Sequence, residues 1–372
     1  MFDLTSGQIE IQLVAIVVAV ACALLGVFLV LRQMAMMSDA ITHSILPGIV
    51  VAFFLVQDLS SPFLIIAAAA TGVLTVSLVE LLNRTRLVRE DAAIGIVFPA
   101  LFSIGVILIA RFAGGIHLDL DVVLLGEIAF VPFNRTTIFG IDLGPTALVM
   151  MTIILVINVL FVTLFYKELK LATFDAGLAA ALGFSPVIIH YSLMSLVSVT
   201  AVGAFDAVGA ILVVALIVGP PVTAYLLTDR LWLMLVLSAG IGVAVAILGY
   251  WLARYLDASI AGSMATMTGV IFIAGYLFAP YRGLIAIALR RRRQRWEFAG
   301  TMLAIHLLNH EGLPSAQQEN RIDHLQDHLN WDSRFAEHVV RWAERHGSLT
   351  RQNSRLFLTE KGRQRAREAI VR

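Results

Sequence analysis

The stretch Val14-Ala15-Ile16-Val17-Val18-Ala19-Val20-Ala21-Cys22-Ala23-Leu24-Leu25-Gly26-Val27-Phe28-Leu29-Val30-Leu31 contains no charged side chain and no side-chain amide. It belongs to an apolar run over 10–31. At about 1.5 Å per residue such a run crosses a hydrocarbon core about 30 Å thick. The run lacks a basic n-region and a small-residue cleavage site, so it reads as a retained span rather than a cleaved leader. Working outward, runs of similar length recur at 36–57, 62–82, 92–111, 144–166, 188–204, 207–228, 231–253 and 260–279. The periodicity predicts an all-α polytopic membrane protein with eight or nine transmembrane helices. The composition agrees: 59% hydrophobic and only 14% charged, against about a quarter charged in an ordinary soluble chain. Cys22 is the single cysteine, which excludes an internal disulfide and a cysteine-based metal centre.

Charge divides the chain. Residues 1–289 carry 11 Lys+Arg and 16 Asp+Glu, a net of −5, whereas 290–372 carry 16 and 10, a net of +6. That shift predicts a transmembrane domain over 1–289 and a separate domain over 290–372. Basic residues in short loops set orientation. Arg84, Arg86, Arg89, Lys167, Lys170, Arg230 and the Arg290–Arg293 block fall on one side if the runs alternate, which predicts a cytoplasmic C-terminus. The opposite side receives Asp3, Glu10, Asp58, Asp119, Asp121, Glu127, Asp142 and Asp257, against Arg111, Arg135 and Arg254. Such an acidic mouth concentrates cations, although solvated loop acids need no such role.

The segment Ser38-Asp39-Ala40-Ile41-Thr42-His43-Ser44-Ile45-Leu46-Pro47-Gly48 carries the clearest chemistry. Asp39 and His43 are four apart and share one helical face. An intramembrane carboxylate needs a partner or a pathway. A carboxylate oxygen with an imidazole nitrogen suits Mn²⁺, Fe²⁺ or Zn²⁺ and lacks the all-oxygen shell of Ca²⁺ or Mg²⁺. Pro47 removes a backbone donor and frees the His43 carbonyl. An Asp–His pair joining two helices accounts for the same residues equally well. Asp206, among small residues, reads as a second buried acid that lines a pathway or closes a helix break. His190 and Glu80 read as interfacial. Run 188–204 is expected to break near Gly203, and Pro220-Pro221 to kink the next run.

The stretch 167–187 is short and amphipathic. Thr173 or Asp175 suits a helix N-cap and Gly183 a helix end, and its Ala/Leu/Phe face fits a partner groove. No GxxxxGK[ST] loop, HExxH, GxSxG or paired-Cys motif occurs, so the chain is not read as an enzyme and any ATPase is another polypeptide.

In aggregate these segments resemble the membrane subunit of the manganese/zinc/iron ABC importers, the Tro/Mnt/Znu-type permeases. The matching stretches are Leu25–Arg32, Ser38–Gly48, Arg89–Ile96, Leu125-Gly126-Glu127, Phe174-Asp175 with Leu182-Gly183, and Val208–Leu216. The resemblance implies that Asp39 and His43 coordinate the transported cation. It implies that 170–187, with Phe174, Asp175, Leu182 and Gly183, is the coupling helix that docks on an ABC ATPase subunit. It further implies a second permease half, identical or paralogous, an extracytoplasmic metal-binding protein, and residence in the cell inner membrane. The transported ion, manganese before zinc or iron, is then cargo, and no cofactor is tightly bound. A proton-coupled secondary transporter using Asp39, His43 and Asp206 is the first alternative.

Beyond 290, helices are expected at 296–311, 317–329, 332–346 and 360–371, with a two-stranded wing at Leu349–Leu358. Leu358-Thr359-Glu360-Lys361-Gly362-Arg363 resembles the end of a winged-helix domain, so a small cytoplasmic α(+β) winged-helix-like domain is expected. Its positive charge suits anionic lipid. Nucleic acid is not the expected partner, although a membrane-anchored sensor with a DNA-binding C-terminal domain is the second alternative. His306/His310 and His324/His328 are i,i+4 pairs, each able to hold a regulatory metal on one helical face. Solvated faces, core histidines or packing against the ATPase explain them as well.

Overall fold

The computed structural model describes residues 5–57, 62–112, 128–138, 141–314, 316–322, 325, 329–353 and 355–371. Asp3, Asp58, Asp119, Asp121, Leu125, Gly126, Glu127, His324 and His328 lie outside the described residues. The chain forms two compact units, Met1–Arg282 and Gly283–Arg372.

Among the described residues the first unit has nine helical spans long and apolar enough to cross a membrane. They comprise α1 (Ser6–Leu31), α2 (Met36–Ser44) continued by α3 (Leu46–Val56), α4 (Pro62–Arg84), α5 (Glu90–Phe112), α6 (Thr146–Leu164), α9 (Pro186–Val208), α10 (Ala210–Leu227), α11 (Leu231–Leu256) and α12 (Ile260–Phe278). Two short helices, α7 (Tyr166–Phe174) and α8 (Ala176–Ala181), join α6 to α9. A hairpin of β1 (Arg135–Ile138) and β2 (Ile141–Pro145) precedes α6.

α1 is apolar all round, as a helix enclosed by others must be. In its most apolar stretch 67% of residues are buried, against 22% for α5, α6 and α12. It packs against α6, α9, α10 and α11. Small residues set these close approaches, since lipid offers no hydrophobic drive for helix association. A Cβ on Gly26 would stand 1.9 Å from the Ile217 carbonyl oxygen. Sparse polar contacts add register: Asn158 Nδ2 donates to Thr200 Oγ1 at 2.9 Å, and Ser238 Oγ donates to the Ala23 carbonyl at 3.3 Å.

Two expectations about this unit need correction. α9 does not break at Gly203 but continues to Val208. Gly203 is a packing site, where a Cβ would meet Ile154 Cδ1 at 2.7 Å. The chain turns instead at Gly209, whose φ of 81° suits glycine, and enters α10 directly. Pro220 and Pro221 lie inside α10, where the kink is expected. Two acids of the predicted mouth are not free: Arg135 donates to Asp142 at 2.6 Å and to Glu10 at 3.0 Å.

In the second unit α13 (Leu284–His310) runs through the Arg290–Arg293 block rather than starting at 296, because arginine is a good helix former. α14 (Ala316–Glu319), α15 (Ser333–Arg345), the antiparallel β3 (Leu349–Gln352) and β4 (Arg355–Leu358), and α16 (Glu360–Val371) follow. Within the expected helix at 317–329, the described α-helical residues are those of α14 up to Glu319, Leu325 and Leu329, with Arg321 in a β-bridge between Glu319 and Leu325. A core of Leu303, Leu307, Leu325, Val339, Val340 and Leu356 closes the unit.

Candidate functional site

α1 ends at Arg32, and a tight turn with Gln33 at φ 61° reverses the chain into α2. The helix is interrupted at Ile45 and resumes with Pro47 in its first turn, where a missing N–H costs nothing. α2 is fixed on nearly every side. Met37, Ser38, Ala40, Ile41, Thr42 and Ser44 are buried, and the Ser44 and Thr75 hydroxyls meet at 2.6 Å. Gly48 lies so close to α4 that a Cβ would sit 2.0 Å from Thr71 Oγ1 and 2.6 Å from the Ala67 carbonyl oxygen.

Asp39 and His43 occupy the one face left open. His43 Nε2 stands 3.4 Å from Asp39 Oδ1, and the two side chains are 31% and 33% exposed. Phe98 flanks the imidazole, ring centroids 6.0 Å apart. A carboxylate and an imidazole with free lone pairs on an open face of a spanning helix must meet water, an ion or another protein surface rather than lipid. Two donors do not complete a transition-metal shell, so further ligands must come from outside this face.

Asp206 differs from its expected place. It is exposed, bordering a cleft, in the last turn of α9, three residues before the Gly209 turn. It lines a cleft of about 320 Å³ with Phe130, Asn134, Thr146 and Met150, among others; Asp39 and His43 do not line it.

The predicted coupling stretch forms α7 and α8, two short helices rather than one. Asp175 is the cap between them, accepting from the Leu178 N–H at 2.8 Å. Gly183, at φ 87°, ends α8, and the Phe184 N–H returns to the Ala179 carbonyl at 3.0 Å. Phe174 at the end of α7, Leu178 in α8 and Leu182 at its C-terminal end are each exposed, apolar side chains on the short-helix segment.

One network was not foreseen. Thr173, considered as a cap, instead accepts from Arg32 Nε at 3.2 Å. Arg32 Nη1 reaches His190 Nδ1 at 3.5 Å, and His190 Nε2 faces Glu80 Oε2 at 3.5 Å. Arg84 closes on Glu80 at 2.6 Å. Burial pulls the Arg32 guanidinium below its ordinary value, though a guanidinium stays charged. The chain of contacts thus ties α7 to the α1 end, α4 and α9, beside a cavity of about 210 Å³ lined by Glu80, Glu90 and His190. Ionisable residues inside apolar runs were the signal available in the sequence.

Among the described residues, the nine long apolar helices of the bundle define a multi-pass membrane protein. Comparison with known proteins places it: residues 9–279 match the ABC 3 transport family, and the chain belongs to that family. It is 48% identical over 353 residues to the zinc transport system membrane protein TroD of Treponema pallidum (strain Nichols), covering 95% of this chain and 96% of that one. It is 50% identical over 285 residues to the manganese transport system membrane protein MntD of Bacillus subtilis (strain 168), covering 77% and 96%. Among solved structures it resembles PsaBC from Streptococcus pneumoniae in complex with Fab, with a TM-score of 0.62 and 28% identity over 75% of this chain and 94% of that one.

Proposed function

We propose that this chain is the permease subunit of an ATP-driven importer of divalent transition-metal ions, and that Asp39 and His43 hold the ion in transit. The observation that carries the reading is the 3.4 Å Asp39–His43 pair, left open on an otherwise packed helix. The carboxylate leans the pair towards manganese, ahead of zinc or iron, although raw affinity favours zinc at such a site, so selectivity for manganese lies in the delivery protein or the closing geometry. Relatives named for zinc and for manganese transport support that class of cargo.

The ion arrives from an extracytoplasmic metal-binding protein and meets Asp39 and His43, with the remaining ligands supplied by a second permease half, a copy or a paralogue. The short-helix segment with Phe174, Leu178 and Leu182 exposed is the docking segment for a separate ATPase chain. Movement of α7 reaches the α1–α2 turn through Thr173 and Arg32. The subunit spans the cell inner membrane with its C-terminus in the cytoplasm, as the basic loops favour. The order helix, hairpin, helix in 333–371, with α13 and the short α14 before it, supports a winged-helix-like reading of the second unit. It serves as a protein-contact and lipid-facing module.

The test is uptake of Mn²⁺, Zn²⁺ and Fe²⁺ into vesicles carrying the full complex, with and without ATP. Wild type accumulates the ion only with ATP. Asp39→Ala and His43→Ala assemble but do not accumulate it. Normal uptake by both variants would make the pair a helix-joining contact and remove the site.

A further inference from the structure

The second unit carries a cluster that the transport pathway does not use. His306 and His310 lie one turn apart near the end of α13, and Glu319 lies at the end of α14. One ligand atom from each lies within 4.8 Å of the other two, and among the described residues this is the group of three metal-competent side chains so placed. His306 Nε2 stands 3.6 Å from Glu319 Oε2. Two donors each about 2.0–2.1 Å from a tetrahedral ion are about 3.4 Å apart, so this pair needs little adjustment to chelate.

Burial distinguishes the cluster from a surface coincidence. The His306 and Glu319 side chains are only 8% and 10% exposed. The His306 and His310 rings stand 4.8 Å apart, close enough for both to face one ion. Two imidazoles and one carboxylate are a donor set that a borderline divalent ion takes. Other histidines of the unit are used differently. His346 stacks on Trp342 at 4.0 Å and its Nδ1 meets the Trp342 carbonyl at 2.8 Å.

From these observations we propose that His306, His310 and Glu319 form a divalent transition-metal site in the second unit, separate from Asp39 and His43. The ion ties the end of α13 to the segment that holds the hairpin. Directly after Glu319, the Asn320 carbonyl accepts from the Leu356 N–H at 2.8 Å, and Arg321 bridges to Arg355 at the start of β4. Occupancy therefore orders α14 and β4 together. The site stands whether or not the importer reading holds, and its test does not pass through transport.

The test uses the full chain in lipid nanodiscs with Asp39→Ala and His43→Ala already present, so that the transport pair contributes nothing. Equilibrium dialysis with Zn²⁺ as the probe is expected to give one ion per chain. Adding His306→Ala and His310→Ala lowers the affinity by at least about a hundredfold, beyond the 10–100-fold cost of losing an outer-shell partner. Glu319→Gln keeps the shape and loses the charge, and it guards against misfolding of the double variant; it too weakens binding. With Co²⁺ the parent shows ligand-field absorption that both variants lose. Hydrogen exchange in 316–322 and 355–358 slows on Zn²⁺ addition in the parent alone. Equal Zn²⁺ stoichiometry and affinity in all three proteins would overturn the proposal, as would a parent that binds none.

Discussion

Two regions of the chain bring an imidazole to a carboxylate at nearly the same distance, 3.4 Å for His43–Asp39 and 3.6 Å for His306–Glu319. Their surroundings are opposite. The first pair is about one-third exposed on the open face of a helix whose other faces are packed. The second is about nine-tenths buried where two helices meet. Distance alone therefore does not separate a site that passes an ion from one that keeps it. An open pair supplies too few ligands to trap a cation and exchanges readily with water or a partner. A buried set desolvates its ion and must hold it to recover that cost.

The contrast is most sharply tested by its largest expected effect. Asp39→Ala or His43→Ala should reduce ATP-dependent uptake by about 10²-fold or more, since a direct ligand matters at least as much as an outer-shell partner. Thermal unfolding of the purified subunit should move little, because exposed substitutions usually stay within about 0.5 kcal/mol. A large drop in melting temperature would instead assign the pair to helix joining. Next in size is the short-helix segment with its exposed apolar side chains. Phe174→Ala with Leu178→Glu should abolish co-purification with the ATPase chain, and with it uptake. Zn²⁺ binding at the second unit should be unchanged in the same preparation. Loss of both would mean that the double variant unfolds the chain rather than uncoupling it.

The frame beneath the open pair comes third. Gly48→Ala places a methyl against Thr71 and the Ala67 carbonyl, and such overpacking costs about 1–3 kcal/mol. Gly95→Ala is the matched control, since nothing lies within 4 Å of its added carbon. There the better helix former should be neutral or stabilising by up to about 1 kcal/mol. Chemical denaturation in detergent ranks the two. If Gly48→Ala is as harmless as Gly95→Ala, α2 is not held rigidly and the openness of the pair is not built in.

The spans were legible because an apolar run of about 20 residues is a signal of composition, independent of what surrounds it. Asp39 and His43 were legible for the complementary reason, as ionisable groups inside such a run. What escaped is what only packing decides. Gly203 and Gly209 look alike in sequence, yet Ile154 and Met150 crowd the first into a contact while the second takes the positive φ. Asp206 reads as buried because its neighbours are small, but it is exposed at the border of a cleft in the last turn of α9. The network of Thr173, Arg32, His190 and Glu80 joins residues from four helices that no spacing relates. Glu319 likewise reaches the histidines only because the chain doubles back after α13.

The smallest effect lies at the fully solvated end of the same scale. Asp142 meets Arg135 at 2.6 Å, closer than either histidine pair meets its carboxylate, yet the Asp142 side chain is 47% exposed. The Gly144 N–H, then the Arg135 guanidinium, hold the Asp142 carboxyl below its ordinary value. A depressed folded value means that the unfolded chain takes up the proton first. The contribution is therefore fully present above the ordinary aspartate value of about 3.9 and is lost as pH falls through the folded one. Solvent screening keeps it small. Wild type should lose slightly more stability than Asp142→Asn when melting is compared at neutral pH and below that value in low salt, and the difference should vanish in high salt. An acid dependence that is large, or that survives salt, would mean that this hairpin is enclosed in the assembled transporter. Burial, rather than the shortness of a contact, would then have to be judged from the complex and not from the single chain.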